Sequence, residues 1–234
     1  MNQHFVISPF SEEWFLWNFA TLFFVILVIL VSRNAHPNFR TKIANLLVLT
    51  IFIEVLFIQF YYYYYAGIWT VQDSLPFHLC RLMWLVSSFA IMFRNQIAFE
   101  LLLFVGMIGG FHSLMTPEFT HGLDLVLMFD YYLVHGGLIV VPLYCLFVLG
   151  MKPRKQAWYT SILYLQILVL GVGCIDYLLG ANYMYLASKP IVSNPFLIGD
   201  WPFYIIGLEL AVLLHAFIVY LPFRFKNHFL SPTR

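Results

Sequence analysis

Residues 14–32 read WFLWNFATLFFVILVILVS, an apolar run without a charged side chain near the start of the chain. A helix needs about 20 such residues to cross the ~30 Å hydrocarbon core of a bilayer. A helix also satisfies its own backbone hydrogen bonds, which an open segment inside lipid has to do. The thirteen residues before the run contain no Lys or Arg, so they lack the basic region of a signal peptide. This stretch therefore predicts a membrane-spanning helix that the protein retains.

Six further apolar runs follow this one, and together they predict an all-α membrane bundle. We expect spans at about residues 14–32, 43–65, 76–94, 98–115, 125–150, 157–180 and 202–223. The composition agrees, because 62% of the 234 residues are apolar and 10% are charged, whereas a soluble domain carries about 25% charged residues. The expected fold is a polytopic bundle of seven transmembrane helices that forms a single domain over residues 1–234.

The basic residues predict the orientation of this bundle, because cytoplasmic loops carry an excess of Lys and Arg. One side has only Lys189, and Arg81 lies inside the third expected span. The other ten of the twelve basic residues lie on the opposite side: Arg33, Arg40, Lys42, Arg94, Lys152, Arg154, Lys155, Arg224, Lys226 and Arg234. This asymmetry predicts an N-terminus outside the cell and a C-terminus in the cytoplasm.

The overall charge argues against nucleic acid as a partner. The net charge is +1, and no basic block is large enough to follow a phosphate backbone. Membrane lipids are the expected partners, and the sequence does not indicate an oligomeric state. Cys80, Cys145 and Cys174 all lie inside apolar runs. We therefore expect no disulfide framework, and we interpret Cys145 and Cys174 as packing residues.

Ionisable residues inside the expected spans form the main functional signal. Each one costs about 2.5–3.5 kcal/mol on insertion scales, and such residues usually face the bundle interior. They are Glu54, His78, Arg81, His112, Asp130, His135, Asp176, Glu209 and His215. At about 1.5 Å per residue, most fall in the outer half, while Glu54 lies nearer the middle and His215 deeper still. The pattern predicts one outward-opening pocket lined by Cys80, Arg81, His112, Asp130, His135, Asp176 and Glu209, with the loop 181–201 folded back over the helix ends.

Arg81 also has a purely structural interpretation. A buried charge is costly unless an opposite charge and hydrogen bonds compensate it. Pairing with Asp130, Asp176 or Glu209 would hold helices together without any catalytic role.

Cys80 is interpreted either as a core cysteine or as a nucleophile, and His135 either as a helix-bridging histidine or as the base of that nucleophile. A cysteine reacts as its thiolate, which a nearby base or cation favours. His78 and Arg81 are close to Cys80 in sequence but do not share its helix face, so a base is expected from another span. His135 suits this role best, because two glycines follow it and allow close approach.

Five strings of the sequence resemble, in order, the YwaF-type integral membrane proteins of bacteria. They are Leu75–Arg81 (LPFHLCR), Thr116-Pro117, Tyr131–Gly136 (YYLVHG), Asn182-Tyr183-Met184 and Trp201–Leu210 (WPFYIIGLEL), and they are spread over about two-thirds of the chain. That family is similar to the eukaryotic transmembrane protein 164 acyltransferases and, more distantly, to the androgen-induced hydrolases of fatty-acid esters of hydroxy fatty acids. The resemblance implies a multi-pass protein of the cell membrane, here the bacterial plasma membrane.

The relatives use an intramembrane Cys or Thr as nucleophile and a His on a later helix as base, with an acyl-enzyme between the two half-reactions. The resemblance therefore implies a lipid acyltransferase or lipid-ester hydrolase in the outer half of the bilayer, with Cys80 as nucleophile and His135 as base. No cofactor and no metal are expected. Arg81 or His78 would hold the lipid phosphate or stabilise the oxyanion. The full set expected to bind substrate or shape its electrostatics is His78, Arg81, His112, Asp130, Asp176, Asn182, Tyr183 and Glu209.

Three other functions stay open on the residues alone. A transporter or channel would use the buried acids and histidines as an ion path. A metal-dependent hydrolase would bind zinc through His78, His112 and His135 with Asp130, although no pair has the short helical spacing of a zinc motif. A non-enzymatic sensor or assembly protein would need the polar cluster only for helix pairing.

Overall fold

The computed structural model describes residues 5–120, 122–191 and 195–226. These residues form seven helices, one short 3-10 turn (Tyr183–Tyr185) and a two-stranded antiparallel sheet. The helices are α1 (Glu12–Arg33), α2 (Pro37–Ala66), α3 (Leu79–Phe93), α4 (Gln96–Met115), α5 (Leu125–Phe147), α6 (Ala157–Leu179) and α7 (Phe203–Lys226), and the strands are β1 (Phe5–Val6) and β2 (Glu118–Phe119). The last turn of α2 and a central turn of α4, Leu102–Gly106, are π-helical. The expected all-α fold is confirmed.

Six of the seven helices are long and apolar enough to cross a membrane, by their length and composition. The exception is α3, which has 15 residues where the sequence predicts a span over residues 76–94. Gly67 adopts the left-handed conformation (φ 63°) that ends α2. The chain then runs through turns and irregular backbone until His78 caps α3. The first part of the predicted third span is therefore not helical.

The exposed surface of the helices is apolar, and polar side chains lie inside. In α1, the exposed fractions of Leu16, Phe19 and Leu30 are 67%, 62% and 60%, whereas Thr21 and Ser32 are buried. The helices of a water-soluble bundle bury their apolar stripe and expose their polar face. This reversed pattern, together with the six long apolar helices, identifies the chain as an integral membrane protein.

The central helix of the bundle is α5, which packs against α1, α3 and α4. Helix α2 packs on α3, while α6 and α7 pack on each other and on α4. Two glycines of α5 permit the close contacts. A Cβ atom on Gly136 would lie 2.7 Å from Cγ2 of Thr21 in α1, and one on Gly137 would overlap the ring of Trp84 in α3. The expected close approach of other helices at these glycines is confirmed.

Contacts between loops define two ends of the bundle. The mouth end comprises residues 5–11, 67–78, 116–120, 122–124, 180–191 and 195–202. There β1 pairs with β2, and the Tyr183 hydroxyl donates a 2.8 Å hydrogen bond to the Val71 carbonyl. The basic end comprises residues 34–36, 94–95 and 148–156, where Arg154 pairs with Glu100 of α4. The side chain of Gln96 also donates to the Lys152 carbonyl there, at 2.8 Å. The segments that connect successive helices from α1 to α7 therefore alternate between the basic end and the mouth end.

Candidate functional site

A cavity of about 420 Å³ opens at the mouth end between α2, α3, α4, α5, α6 and α7. Seven of the ten residues predicted for the site line it: His78, Cys80, Arg81, His112, Asp130, His135 and Glu209. The loop between α6 and α7 folds over it, as expected, because Tyr185, Pro190 and Phe196 also line the cavity. The structure thus brings most of the predicted residues together, while Asp176, Asn182 and Tyr183 lie outside the lining.

Cys80 lies in the first turn of α3, where the helix starts inside the bundle. Its Sγ atom lies 3.9 Å from Oγ of Ser113 on α4, the long hydrogen-bond distance typical of sulfur. Gly109, one turn earlier on α4, gives the thiol its space, since a Cβ atom there would lie 3.8 Å from Sγ. Two consecutive turns of α4 therefore face the cysteine.

His135 lies on α5 and faces the same cavity. Its Nδ1 atom is 2.7 Å from the Tyr131 carbonyl oxygen. A carbonyl oxygen only accepts, so Nδ1 carries the proton and the basic lone pair of the neutral ring is on Nε2. The ring also lies against the Tyr131 ring, with centroids 4.1 Å apart. A Cβ atom on Gly110 would lie 2.8 Å from the His135 carbonyl oxygen, which shows how closely α4 approaches α5 here.

Arg81 joins three helices through a buried ion-pair network. Its NH1 group pairs with Glu54 of α2 and its NH2 group with Asp130 of α5. NH1 also donates to Oδ1 of Asp130 at 3.2 Å, and Trp84 Nε1 donates to the second oxygen of Glu54 at 2.6 Å. The predicted pairing of Arg81 with Asp130 is present. Its pairing with Glu54 was not predicted from the sequence. With both ends of its fork on carboxylates, Arg81 is not free to hold a lipid phosphate.

The other two carboxylates offered as partners of Arg81 have different contacts. Asp176 is buried at the end of α6, where one oxygen accepts a 2.8 Å hydrogen bond from the Tyr183 backbone N–H. Glu209 lines the cavity, and its side chain accepts from Gln166 of α6 at 2.7 Å. Of the three alternative partners predicted for Arg81, the structure therefore shows Asp130, while the side chains of Asp176 and Glu209 point to the loop and to α6.

Asn182 and Tyr183 lie outside the cavity lining and hold the loop between α6 and α7 in place. The Asn182 side-chain oxygen accepts from the backbone N–H groups of Ala187 and Ser188, each at 2.9 Å. The Tyr183 hydroxyl accepts from the Leu75 N–H at 3.0 Å, and its ring contacts His78 at 5.0 Å between centroids. Tyr183 thus connects this loop to the segment before α3, which carries Leu75 and His78.

A second group of rings lies across the cavity from Cys80, between α4 and α7. The rings of His112 and His215 meet edge to face at 4.7 Å between centroids, and Phe196 contacts both at 5.7 Å. Gly207 admits the loop here, because a Cβ atom on it would overlap the Phe196 carbonyl oxygen. His215, expected deeper than the other residues, therefore lies beside His112.

The remaining cysteines differ from each other. Cys145 is fully buried among apolar side chains, in agreement with a packing role. Cys174 is exposed on α6, so its interpretation as a packing residue is wrong. Among the residues that the structure describes, no group of three or more His, Cys, Asp or Glu side chains is arranged to hold a metal ion.

The sequence did not single out several polar residues of the cavity. Ser113, Tyr131, Tyr185 and Glu118 all line it. Burial raises the pKa of Tyr185, and the charges of Glu118 and Cys80 act in the same direction, so its hydroxyl stays protonated. Of these four residues, only Tyr131 could have been identified from the sequence. It lies four residues before His135 and hence on the same helix face.

One known protein family matches the chain over most of its length. A model of the TMEM164 family matches residues 7–220. No curated protein and no solved structure matches the chain. The family match covers most of the chain and includes the segments with Cys80 and His135. It confirms the similarity to the transmembrane protein 164 family that the motifs predict, and the chain belongs to the TMEM164 family.

Proposed function

We propose that this protein is a lipid acyltransferase or lipid-ester hydrolase of the bacterial plasma membrane, with Cys80 as nucleophile and His135 as its base. The observation that carries the proposal is that both side chains line one cavity from different helices. Adjacent glycines of α4 face the two residues, because Gly109 lies against the Cys80 thiol and Gly110 against the backbone carbonyl of His135. In the resting structure Cys80 contacts Ser113 and His135 contacts Tyr131, and catalytic contacts often tighten only when substrate binds.

The chemistry takes two balanced steps. The Cys80 thiol proton passes to Nε2 of His135, and the thiolate attacks the ester carbonyl carbon. As the C–S bond forms and the ester C–O bond breaks, His135 returns the proton to the leaving alcohol. A hydroxyl of a second lipid, or water, then attacks the thioester. His135 accepts the proton of the acceptor, the C–S bond breaks, and the sulfur regains a proton.

The distribution of polarity along the cavity supports a lipid substrate. Its deepest lining residues on α4, α6 and α7 are Val105, Leu165 and Val212, all apolar. Near the mouth the lining carries Asp73 and Glu118 instead. An acyl chain would lie in the apolar part, with its ester at the level of Cys80 and its headgroup at the mouth. A water-soluble ester would leave the apolar part unfilled.

The bundle is proposed to cross the membrane seven times, with the N-terminus outside and the C-terminus in the cytoplasm. Arg81, the third residue of α3, contacts Glu54, which is twelve residues before the end of α2. Helix α3 therefore begins well below the mouth end, and its 15 residues, about 22 Å in length, extend to the basic end. The basic end carries Arg94, Lys152 and Arg154, as expected for the cytoplasmic side.

Reporter fusions test this topology. Fusions after residues 35, 95 and 154 are expected to give cytoplasmic signals, and fusions after residues 70, 120 and 190 external signals, because these positions alternate between the basic end and the mouth end. A fusion pair at residues 70 and 95 is the sharpest, since it brackets the short helix α3. Identical signals from that pair would contradict a seventh span, and a full inversion would contradict the orientation.

The proposed reaction is tested by trapping its intermediate. The purified protein in lipid nanodiscs receives a phospholipid whose acyl chain ends in an alkyne, and the reaction is quenched at low pH. A hydroxylamine-sensitive tag is expected on the peptide that contains Cys80, and a His135→Ala variant is expected to trap far less. Cys145 and the exposed Cys174 are internal controls. A tag that maps to Cys174, or no thioester at all, would contradict the mechanism.

A further inference from the structure

Ser113 presents the hydroxyl group that contacts the proposed nucleophile. Its Oγ atom lies 3.9 Å from Sγ of Cys80, and it belongs to the turn of α4 that follows Gly109. The guanidinium group next to Cys80 in sequence is occupied, because Arg81 binds Glu54 and Asp130. A thiolate formed at Cys80 would therefore find its hydrogen-bond donor in Ser113.

The backbone of Ser113 is held by Tyr131. In a helix the Ser113 carbonyl would accept from the residue four positions later, which is Pro117 and has no N–H group. The hydroxyl of Tyr131 donates to this carbonyl instead, at 2.8 Å. The Ser113 carbonyl, in the last turn of α4, thus receives its hydrogen bond from α5. This contact holds Ser113 in front of the Cys80 thiol.

Tyr131 holds the proposed base as well. Its backbone carbonyl accepts the Nδ1 proton of His135 at 2.7 Å, and its ring supports the imidazole at 4.1 Å between centroids. One residue therefore contacts both the serine that faces the nucleophile and the histidine that would deprotonate it. The carbonyl contact belongs to the backbone of residue 131, whereas the hydrogen bond to the Ser113 carbonyl needs the tyrosine hydroxyl.

We propose that Ser113 is a further catalytic residue, whose hydroxyl donates a hydrogen bond to the Cys80 thiolate, and that Tyr131 is a positioning residue for Ser113 and His135. The inference rests on the proposed function, because it assumes that Cys80 is the nucleophile. Either atom of the Cys80–Ser113 contact can be the donor; once the thiol proton has moved to His135, the Ser113 hydroxyl can only donate to the sulfur, which requires no more than rotation of its O–H bond. Hydrogen bonds to a charged group are about twice as strong as neutral ones, so this contact favours the thiolate over the thiol.

The test measures the alkylation rate of Cys80 by iodoacetamide as a function of pH. The parent protein carries Cys145→Ala and Cys174→Ala, so that only Cys80 reacts. In Ser113→Ala the rate at neutral pH is expected to fall about 10-fold, and the midpoint of the pH profile to rise by about one unit. Ser113→Thr restores the hydroxyl and is expected to stay within about threefold of the parent. Tyr131→Phe is expected to shift the midpoint in the same direction by less.

Matched controls separate this role from a general loss of structure. Ser88→Ala removes a buried serine whose hydroxyl donates to the Leu85 carbonyl, and Tyr144→Phe removes a tyrosine of α5 whose hydroxyl donates to the Arg40 carbonyl. Neither is expected to move the pH midpoint. If Ser113→Ala does not fold, the pH midpoints of Cys80 alkylation in Tyr131→Phe and Tyr144→Phe are compared instead. A higher midpoint in Tyr131→Phe supports the proposed positioning role.

Two negative results are distinguishable. An unchanged pH midpoint in folded Ser113→Ala, or equal midpoints in the two Tyr→Phe variants, would overturn the roles of Ser113 and Tyr131 while the trapped thioester at Cys80 still stands. The absence of that thioester in the wild-type protein would overturn the proposed function itself.

Discussion

A Cys80→Ala variant is expected to lose acyl transfer by at least about 10³-fold while keeping its fold. Removing a nucleophile eliminates the covalent route, and binding and electrostatics alone sustain only the residual rate. The side chain is small and half-buried, and its described hydrogen bond is the long contact with Ser113, so little packing is lost. The measurements are transfer of an alkyne-tagged acyl chain in nanodiscs and a lipidomic comparison of membranes that contain either protein.

The matched control is Cys145→Ala, in the same fold and with the same change. Cys145 is fully buried on α5, so its loss should cost some stability, about 1 kcal/mol, and leave transfer intact. Cys80→Ser tests the chemistry of the thiol, since a serine at this position would need stronger activation. A Cys80→Ala protein that still transfers acyl chains would end the enzyme interpretation and favour a sensor or transport role for the cavity.

The second large effect is expected at Arg81. Arg81→Met leaves the carboxylates of Glu54 and Asp130 buried without their cation, and removal of one partner from a buried ionic network costs about 3–5 kcal/mol. Three helices lose their common contact. We therefore expect the variant to unfold at a much lower denaturant concentration, or to accumulate in the membrane at a lower level than the wild-type protein. Unfolding of the purified protein in detergent, followed by tryptophan fluorescence, measures the loss.

Arg154→Met is the control for this prediction. Arg154 also pairs with a buried glutamate, Glu100, but its own side chain is 35% exposed at the basic end. Glu100 keeps the hydrogen bonds from the Gln96 side chain and the Arg154 backbone N–H, both at 2.8 Å. The expected cost is therefore only about 1 kcal/mol. Equal stability losses at the two arginines would contradict the special role of the Arg81 network.

Apolar run length predicted the helices well, because lipid imposes both their length and their hydrogen bonding. It failed for the start of α3. Residues 67–78 are irregular and occupy the mouth level, so Arg81 lies deeper than a helix beginning at residue 76 would place it. That shift is why Arg81 meets Glu54, which depth estimates had placed nearer the middle of the membrane.

Depth along a helix does not fix the direction of a side chain. Asp176 and Glu209 were predicted at a membrane depth that would suit contact with Arg81. In the structure Asp176 binds the Tyr183 backbone and Glu209 binds Gln166. His135 was predicted better because its neighbouring glycines mark the face that other helices approach. Ser113 could not be found from the sequence, since its role depends on the hydroxyl of Tyr131 and on a carbonyl that Pro117 leaves without a donor.

The pairing of β1 with β2 sets an order on the biogenesis of the protein. Phe5 pairs with Phe119, and at about 5–20 residues per second the ribosome needs roughly 6–23 s to make the chain between them. During that time the segment that carries β1 has no strand to pair with, although Ile7 behind it ends up buried. Residues 5–11 are thus made before α4 but settle only after it, when β2 becomes available to pair with β1.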